Sequence, residues 1–239
     1  MNHRTEQRPG TARSLQLPSA AMRFRQIDLP VHDPSGWSAW MTRKLDVPPH
    51  PVMPDAVTVG WSTLRFRYRP EADVTVRTGP DADNGTPQKR AHHLAFAVPT
   101  GTIDDYAREY GEDTVDRPDG PFAMRSVYLT GPEDAVIELV EHVHRPADGT
   151  DATDGTDAAQ LLGVAEVGLG VPDVRASGEA LAAHYGDRLP HGFGDPDRRI
   201  IAAYGDIDGS VVLSAADRPW FPTEDTFPVT DRPGIKLEQ

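Results

Sequence analysis

The stretch His93-Leu94-Ala95-Phe96-Ala97-Val98-Pro99-Thr100 alternates bulky apolar side chains with small or polar ones, the period of a strand with one buried face. The pattern recurs as Gln26-Ile27-Asp28-Leu29-Pro30-Val31-His32-Asp33 and as Glu166-Val167-Gly168-Leu169-Gly170-Val171-Pro172-Asp173. A segment of helical spacing follows each one. Trp37, Trp40, Met41 and Leu45 share a face after Pro34 and Ser35; Ile103, Tyr106, Ala107 and Tyr110 form the second stripe; Val174, Ser177, Leu181 and Tyr185 form the third. Further alternating runs predict strands at 56–60 and 62–68, at 125–130 and 135–143, and at 198–205 and 210–214. The turn Gly131-Pro132-Glu133-Asp134 joins the middle pair. The bulky face of each opening strand needs its own helix as cover, which leaves the opposite face free to line a cavity.

The repeat divides the chain into units at 22–78, 91–145 and 161–228, the third shorter, with polar tails at 1–21 and 229–239. Gly79-Pro80-Asp81-Ala82-Asp83-Asn84-Gly85-Thr86-Pro87 separates the first two, and an acidic linker at 146–160 separates the last two. The spacing of carboxylates in 151–157 is not that of a calcium-binding loop. The chain also carries no Gly-rich phosphate loop and no Gly-x-Ser-x-Gly elbow, so nucleotide-binding and serine-hydrolase chemistry find no support.

Composition narrows the ligand class. The 239 residues hold 24 Lys and Arg against 37 Asp and Glu, a formal charge of -13. That balance argues against nucleic acid and against an acidic membrane surface as partners. Cysteine is absent, which excludes disulfides, thiolate metal sites and cysteine nucleophiles, so any metal must be held by His and carboxylate. No run has the length and apolarity of a membrane span and residues 1–21 are polar, so a cytoplasmic location is expected. Only three of the 24 basic residues are lysines. This composition resembles that of salt-adapted cytoplasmic proteins, notably those of halophilic archaea.

A strand, a helix and three further strands, repeated, resembles the βαβββ module of the vicinal oxygen chelate superfamily, which includes glyoxalase I, bleomycin-resistance proteins and extradiol dioxygenases. The matching stretches are 92–99 and 126–141, the latter resembling the superfamily's strand, turn and Ile-Glu-Leu strand. Its turn departs from the family's Asp-Pro-Asp-Gly-Asn, with Gly131 for the first Asp and Asp134-Ala135 for Gly-Asn. Weaker matches are 59–66 and Arg218-Pro219-Trp220-Phe221-Pro222. The resemblance implies an α+β fold of repeated βαβββ modules forming curved mixed sheets around one or two cups. It also implies a divalent ion held by the first and last strands of paired modules.

Carried across, the middle module offers His93 and Glu138. Alternation independently puts both on the cup face, opposite Leu94 and Phe96 in one strand and Ile137 and Leu139 in the other. The first module offers Gln26 and Arg65, the third Glu166 and Val212. A guanidinium repels a cation, so Gln26 or Glu166 is the expected further ligand for Fe(II), Mn(II), Ni(II) or Zn(II).

In that frame Glu138 and Tyr128 are the candidate catalytic groups, and Arg65 and His142 the candidate substrate contacts. His92 points to the opposite face, and Trp220 with Phe221 forms a lid or a core plug. The implied activity is that of a glyoxalase-like lyase or isomerase, or a ring-cleaving dioxygenase, on a small substrate with vicinal oxygens. The alternative is a metal-free binding protein whose cup is lined by Ala95, Ala97, Val136 and Val140. Three modules leave one unpaired, which predicts a homodimer; which two share a cup stays open.

The charge yields a direct expectation. Raising KCl from about 0.1 M to about 2 M screens the self-repulsion and should raise the thermal midpoint followed by circular dichroism. A midpoint that falls over that range removes the salt-adapted reading.

Overall fold

The computed structural model describes residues 22–69, 93–145, 161–186, 189–194, 201–216, 218–223 and 234–237. Both expected linkers, the tail at 1–21 and His92 lie outside them.

The first unit consists of β1 (Phe24–Val31), α1 (Pro34–Leu45), β2 (Ala56–Val59) and β3 (Ser62–Tyr68). The second is β4 (His93–Ala97), α2 (Ile103–Tyr110), β5 (Val115–Arg117), β6 (Met124–Thr130) and β7 (Val136–His142). The third is β8 (Gly163–Val171), α3 (Val174–Tyr185), β9 (His191–Gly194), β10 (Ile201–Asp206) and β11 (Gly209–Ala215). A last strand, β12, spans Gly234–Leu237.

The second and third units share one eight-stranded mixed sheet in the order β5-β6-β7-β4-β8-β11-β10-β9. Each is a full βαβββ unit, and they join through antiparallel β4 and β8. Within each, the opening strand runs parallel to the closing one, β4 with β7 and β8 with β11. The pairing left open by the sequence is therefore the second unit with the third. The fold is α+β, as expected.

The first unit departs from the pattern by one strand. Between α1 and β2 run Pro48, Pro49, Pro51 and Pro54, which cannot donate to a strand ladder, and only an isolated bridge from Pro49 to Val57 forms there. Its sheet, in the order β12-β1-β3-β2, gains its fourth strand from β12, which pairs antiparallel with β1. Gly234–Leu237 falls in the stretch read as a tail, because four residues are too few to show a strand period.

Helix starts follow the sequence signals. Asp33 and Asp173 cap α1 and α3, their side chains accepting from Gly36 N–H and Ala176 N–H, and Pro34 occupies the first turn. Glu141 does the same for α2 from a distance, accepting the N–H of Ile103. The main core lies between sheets and helices and includes Trp37, Phe66, Leu94, Phe96, Ile137, Leu139 and Leu213.

Three sets of contacts fasten the first unit to the others. Trp61, at the β2–β3 turn, donates its backbone N–H to Leu162 O, and Val164 N–H donates to Ser62 Oγ. The guanidiniums of Arg23 and Arg145 lie 4.4 and 5.4 Å from the Trp61 ring, and both pair with Asp208. Glu133, in the β6–β7 turn, accepts through Oε1 from His32 N–H, Asp33 N–H and the Trp37 indole N–H at 3.0, 3.0 and 3.1 Å. Truncating Glu133 removes the acceptor that these three N–H groups share at the start of α1. Glu133→Ala should lower unfolding stability by about 1–2 kcal/mol in urea titration. Asp134→Asn, which removes the charge at the exposed neighbouring position and keeps a residue suited to its left-handed backbone (φ 58°), is the control for loss of a turn carboxylate and should change stability by less.

Candidate functional site

The cup face of the eight-stranded sheet carries two apolar clusters with a polar cluster between them. At one end Ala95, Ala97, Met124, Val140, Leu162 and Ala165 pack with Trp61. At the other, Val136, Ala203, Val212 and Trp220 pack with Tyr128 and Phe193. Between them lie His93, Glu138 and Glu166, whose candidate ligand atoms all fall within 4.8 Å of one another.

Strand register explains the convergence. Ala95 pairs with Glu138 on β7 and with Glu166 on β8, so a methyl group separates two carboxylates. His93 lies two residues along on the same face and reaches between them. Its Nε2 is 2.9 Å from Glu166 Oε1 and 3.3 Å from Glu138 Oε2. Neither contact is aligned with the ring N–H direction, so Nε2 is buried without a directed hydrogen bond. The remaining carboxylate oxygens are met by hydroxyls. Glu138 Oε1 accepts from Ser126 Oγ at 2.6 Å and Tyr128 OH at 3.1 Å, and Glu166 Oε2 accepts from Ser210 Oγ at 3.4 Å.

The far side of the imidazole is occupied. Trp220 Nε1–H donates to His93 Nδ1 at 2.9 Å, and the rings lie 4.9 Å apart. Gly168 makes this possible, since a Cβ there would come 2.5 Å from the indole. Trp220 thus plugs one end of the cup, and Phe221 beside it packs edge-on against Tyr128 at 5.2 Å.

Charge in the cluster is tightly coupled. Burial pulls the His93 pKa down, but Glu138 and Glu166 outweigh it and raise it to about 9. The indole works against that rise, because Nδ1 cannot hold a proton and accept one. While Trp220 is bonded to it, the neutral form of the ring has its one proton on Nε2, between the carboxylates. Burial acts to raise the Glu138 pKa, but interactions with His93, Ser126 and Tyr128 hold it below the usual carboxylate range. Burial, and then the Glu138 charge, push the Tyr128 phenol far up, so it stays a donor.

The donor set suits a divalent ion in kind and spacing. Metal–ligand bonds of about 2.0–2.2 Å give ligand separations of about 2.9–3.4 Å around one ion, the range in which Nε2 meets both carboxylates. Beside the cluster, a cleft of about 290 Å³ is lined by Tyr128, Thr130, Asp134, Val136, Pro222 and Thr223.

Of the residues singled out in the sequence, His93, Glu138, Glu166 and Tyr128 come together here. Gln26 and Arg65 lie on neighbouring strands of the four-stranded sheet, Arg65 opposite Asp28, and both meet Asp28 instead, the amide of Gln26 donating to it at 2.7 Å and Arg65 Nε lying 3.6 Å away. His142 lies on the cup strand opposite Met124, buried rather than at an open rim. Sequence reasoning missed Ser126 and Ser210 and, for Trp220, expected as a lid or core plug, the bond to His93. Ser126 shares strand parity with Tyr128 and was legible; Ser210 carries the parity of Val212; Trp220 bonding to His93 spans 127 positions with no periodic signal.

No family model matches the chain, and no curated protein does. Solved structures similar to it include a putative dioxygenase from Bacillus subtilis, at TM-score 0.46 and 14% identity over 81% of this chain, which spans 64% of that structure's length. Glyoxalase I from Zea mays gives TM-score 0.46 and 15% identity over 91% of this chain and 73% of its own. Lactoylglutathione lyase from Agrobacterium tumefaciens gives TM-score 0.34 and 18% identity over 52% of this chain and 94% of its own.

His142 provides a pH test of the cup's interior. Burial, and then the Arg145 charge, lower its pKa to about 4. The unfolded chain, with a His near 6.5, binds the proton more readily, so this group's contribution is complete above pH 6.5 and is lost as pH falls toward 4. The loss amounts to at most about 3 kcal/mol. His142→Gln should flatten the pH dependence of unfolding between pH 6.5 and 4 relative to the parent; parallel curves would show that the ring is solvated.

Proposed function

We propose that the chain is a divalent-metal-dependent enzyme of the vicinal oxygen chelate superfamily, acting on a small substrate with two neighbouring oxygens as a glyoxalase-like lyase or isomerase or as a ring-cleaving dioxygenase. One observation carries this reading: a buried imidazole nitrogen faces two carboxylates from two modules at ligand spacing without a directed hydrogen bond to either. His93, Glu138 and Glu166 would hold the ion, Fe(II), Mn(II), Ni(II) or Zn(II), and it would act as a Lewis acid on the substrate's oxygens.

The chain's own groups have separable parts to play. Ser126 and Tyr128 hold Glu138 ionised and fix the direction of its carboxylate. Tyr128 lines the adjoining cleft while touching Glu138, which makes it the group able to pass a proton between a molecule there and the cluster. The cleft's volume suits a small molecule. Gln26, Arg65 and His142 have no assigned step in this proposal. A homodimer remains part of it: the eight-stranded sheet already pairs two modules within the chain, so a second copy would meet the first unit. No helix among the described residues is long and apolar enough to cross a membrane.

A second reading, a metal-free protein that binds a small molecule in its cup, is favoured by the Trp220 bond to Nδ1, which suits a proton rather than an ion on Nε2. Elemental analysis of protein purified at high salt without chelator separates the two. The enzyme reading expects about one transition-metal ion per chain, lost in His93→Ala and reduced in Glu138→Gln. Metal-free protein that takes up none of the four ions would leave the binding reading in its place.

A further inference from the structure

We propose that Trp220 is a positioning residue that sets the proton on His93 and thereby gates the metal site, so that an ion enters only when the 218–223 segment leaves its place on the cup. This rests on the reading above that the cluster takes a divalent ion.

An indole nitrogen can donate and cannot accept. With Trp220 N–H directed at Nδ1 at 2.9 Å, that nitrogen must present its lone pair, and the neutral ring's one proton sits on Nε2. Coordination through Nε2 needs the opposite arrangement, with the lone pair toward the ion and the proton on Nδ1. The proton moves from Nε2 to Nδ1, and two N–H groups then face each other across the same 2.9 Å. The two states of the ring exclude one another as long as Trp220 stays.

The packing explains why the indole rests there and how it could leave. Gly168 presents no side chain beneath it, and Val136, Ala203 and Val212 surround it. The segment holds its own turn, since Thr223 donates through both N–H and Oγ to Trp220 O at 2.8 Å. Outside that turn, Phe221 leans on Tyr128 and under the Arg117 guanidinium, 5.7 Å from its ring, while remaining about half exposed. Pro222 and Thr223 also form one wall of the cleft that Tyr128 lines. A molecule filling that cleft therefore presses on the segment that gates the ion.

The test titrates Zn(II) into the full chain against a chromophoric chelator, comparing the parent with Trp220→Phe, which keeps a ring over Gly168 and removes the donor. Removing the N–H that opposes a proton on Nδ1 corresponds to roughly 10- to 100-fold tighter zinc binding in the variant. Equal or weaker binding with zinc still bound by the parent overturns the gate and leaves the metal reading standing; no binding by either protein overturns both. Proton–nitrogen correlation spectra of the unmodified chain give a second readout that does not depend on how the variant folds. Before zinc, His93 should carry its proton on Nε2 with the Trp220 indole N–H hydrogen-bonded; with zinc, the proton should sit on Nδ1 and the indole bond should be gone. A His93 already protonated on Nδ1, or an indole bond that persists beside bound zinc, overturns the proposal.

Discussion

The antiparallel seam between β4 and β8 is the constraint from which the site follows. It makes two βαβββ units into one curved sheet and sets a register in which His93 lies beside Gly168 and Ala95 beside Glu166. The parallel pairing of β4 with β7 then puts Glu138 on the other side of Ala95. A slip of one residue along either seam would turn one carboxylate to the opposite face of the sheet, away from the imidazole. The cluster is thus a property of three adjacent strands, and the alanine between the glutamates matters as much as the groups that carry charge. A long side chain there would occupy the space where the imidazole reaches between the carboxylates.

β8 also admits both tryptophans that close the cup. Trp61, from the first unit, lies against Gly163, and Trp220, from the end of the third, lies against Gly168. In each case a Cβ on the glycine would overlap the indole, so the missing side chain is what lets the ring approach the backbone. The two ends differ in what the ring does next. Trp61 is stacked with two guanidiniums and joins units together, whereas Trp220 addresses the imidazole at the centre.

Much of this was legible from strand period alone. The three opening strands, their helices and the closing hairpins read directly from periodicity, and parity put His93 and Glu138 on one face because the bulky residues alternating with them, Leu94 and Phe96 in one strand and Ile137 and Leu139 in the other, take the face toward the main core. Parity could not choose between Gln26 and Glu166 as the neighbour, since that choice depends on which units pair, a long-range fact. The prolines between α1 and β2 removed a strand that repetition predicted in the first unit. The Trp220 contact left only an indirect trace: a glycine inside a strand marks a place where something comes close, without saying what.

The grip of Glu133 on the start of α1 has a mechanical meaning beyond the joint itself. That residue sits in the bend between β6 and β7, the strands that bring Ser126, Tyr128 and Glu138 to the cluster. One carboxylate oxygen ties this bend to two backbone amides and an indole of a unit that supplies no member of the cluster. The additional unit therefore serves as an external brace for the hairpin, limiting how far that wall of the cup can flex, while its contacts with Leu162, Val164 and Asp208 hold the opposing wall, built from β8 to β11, to the same frame.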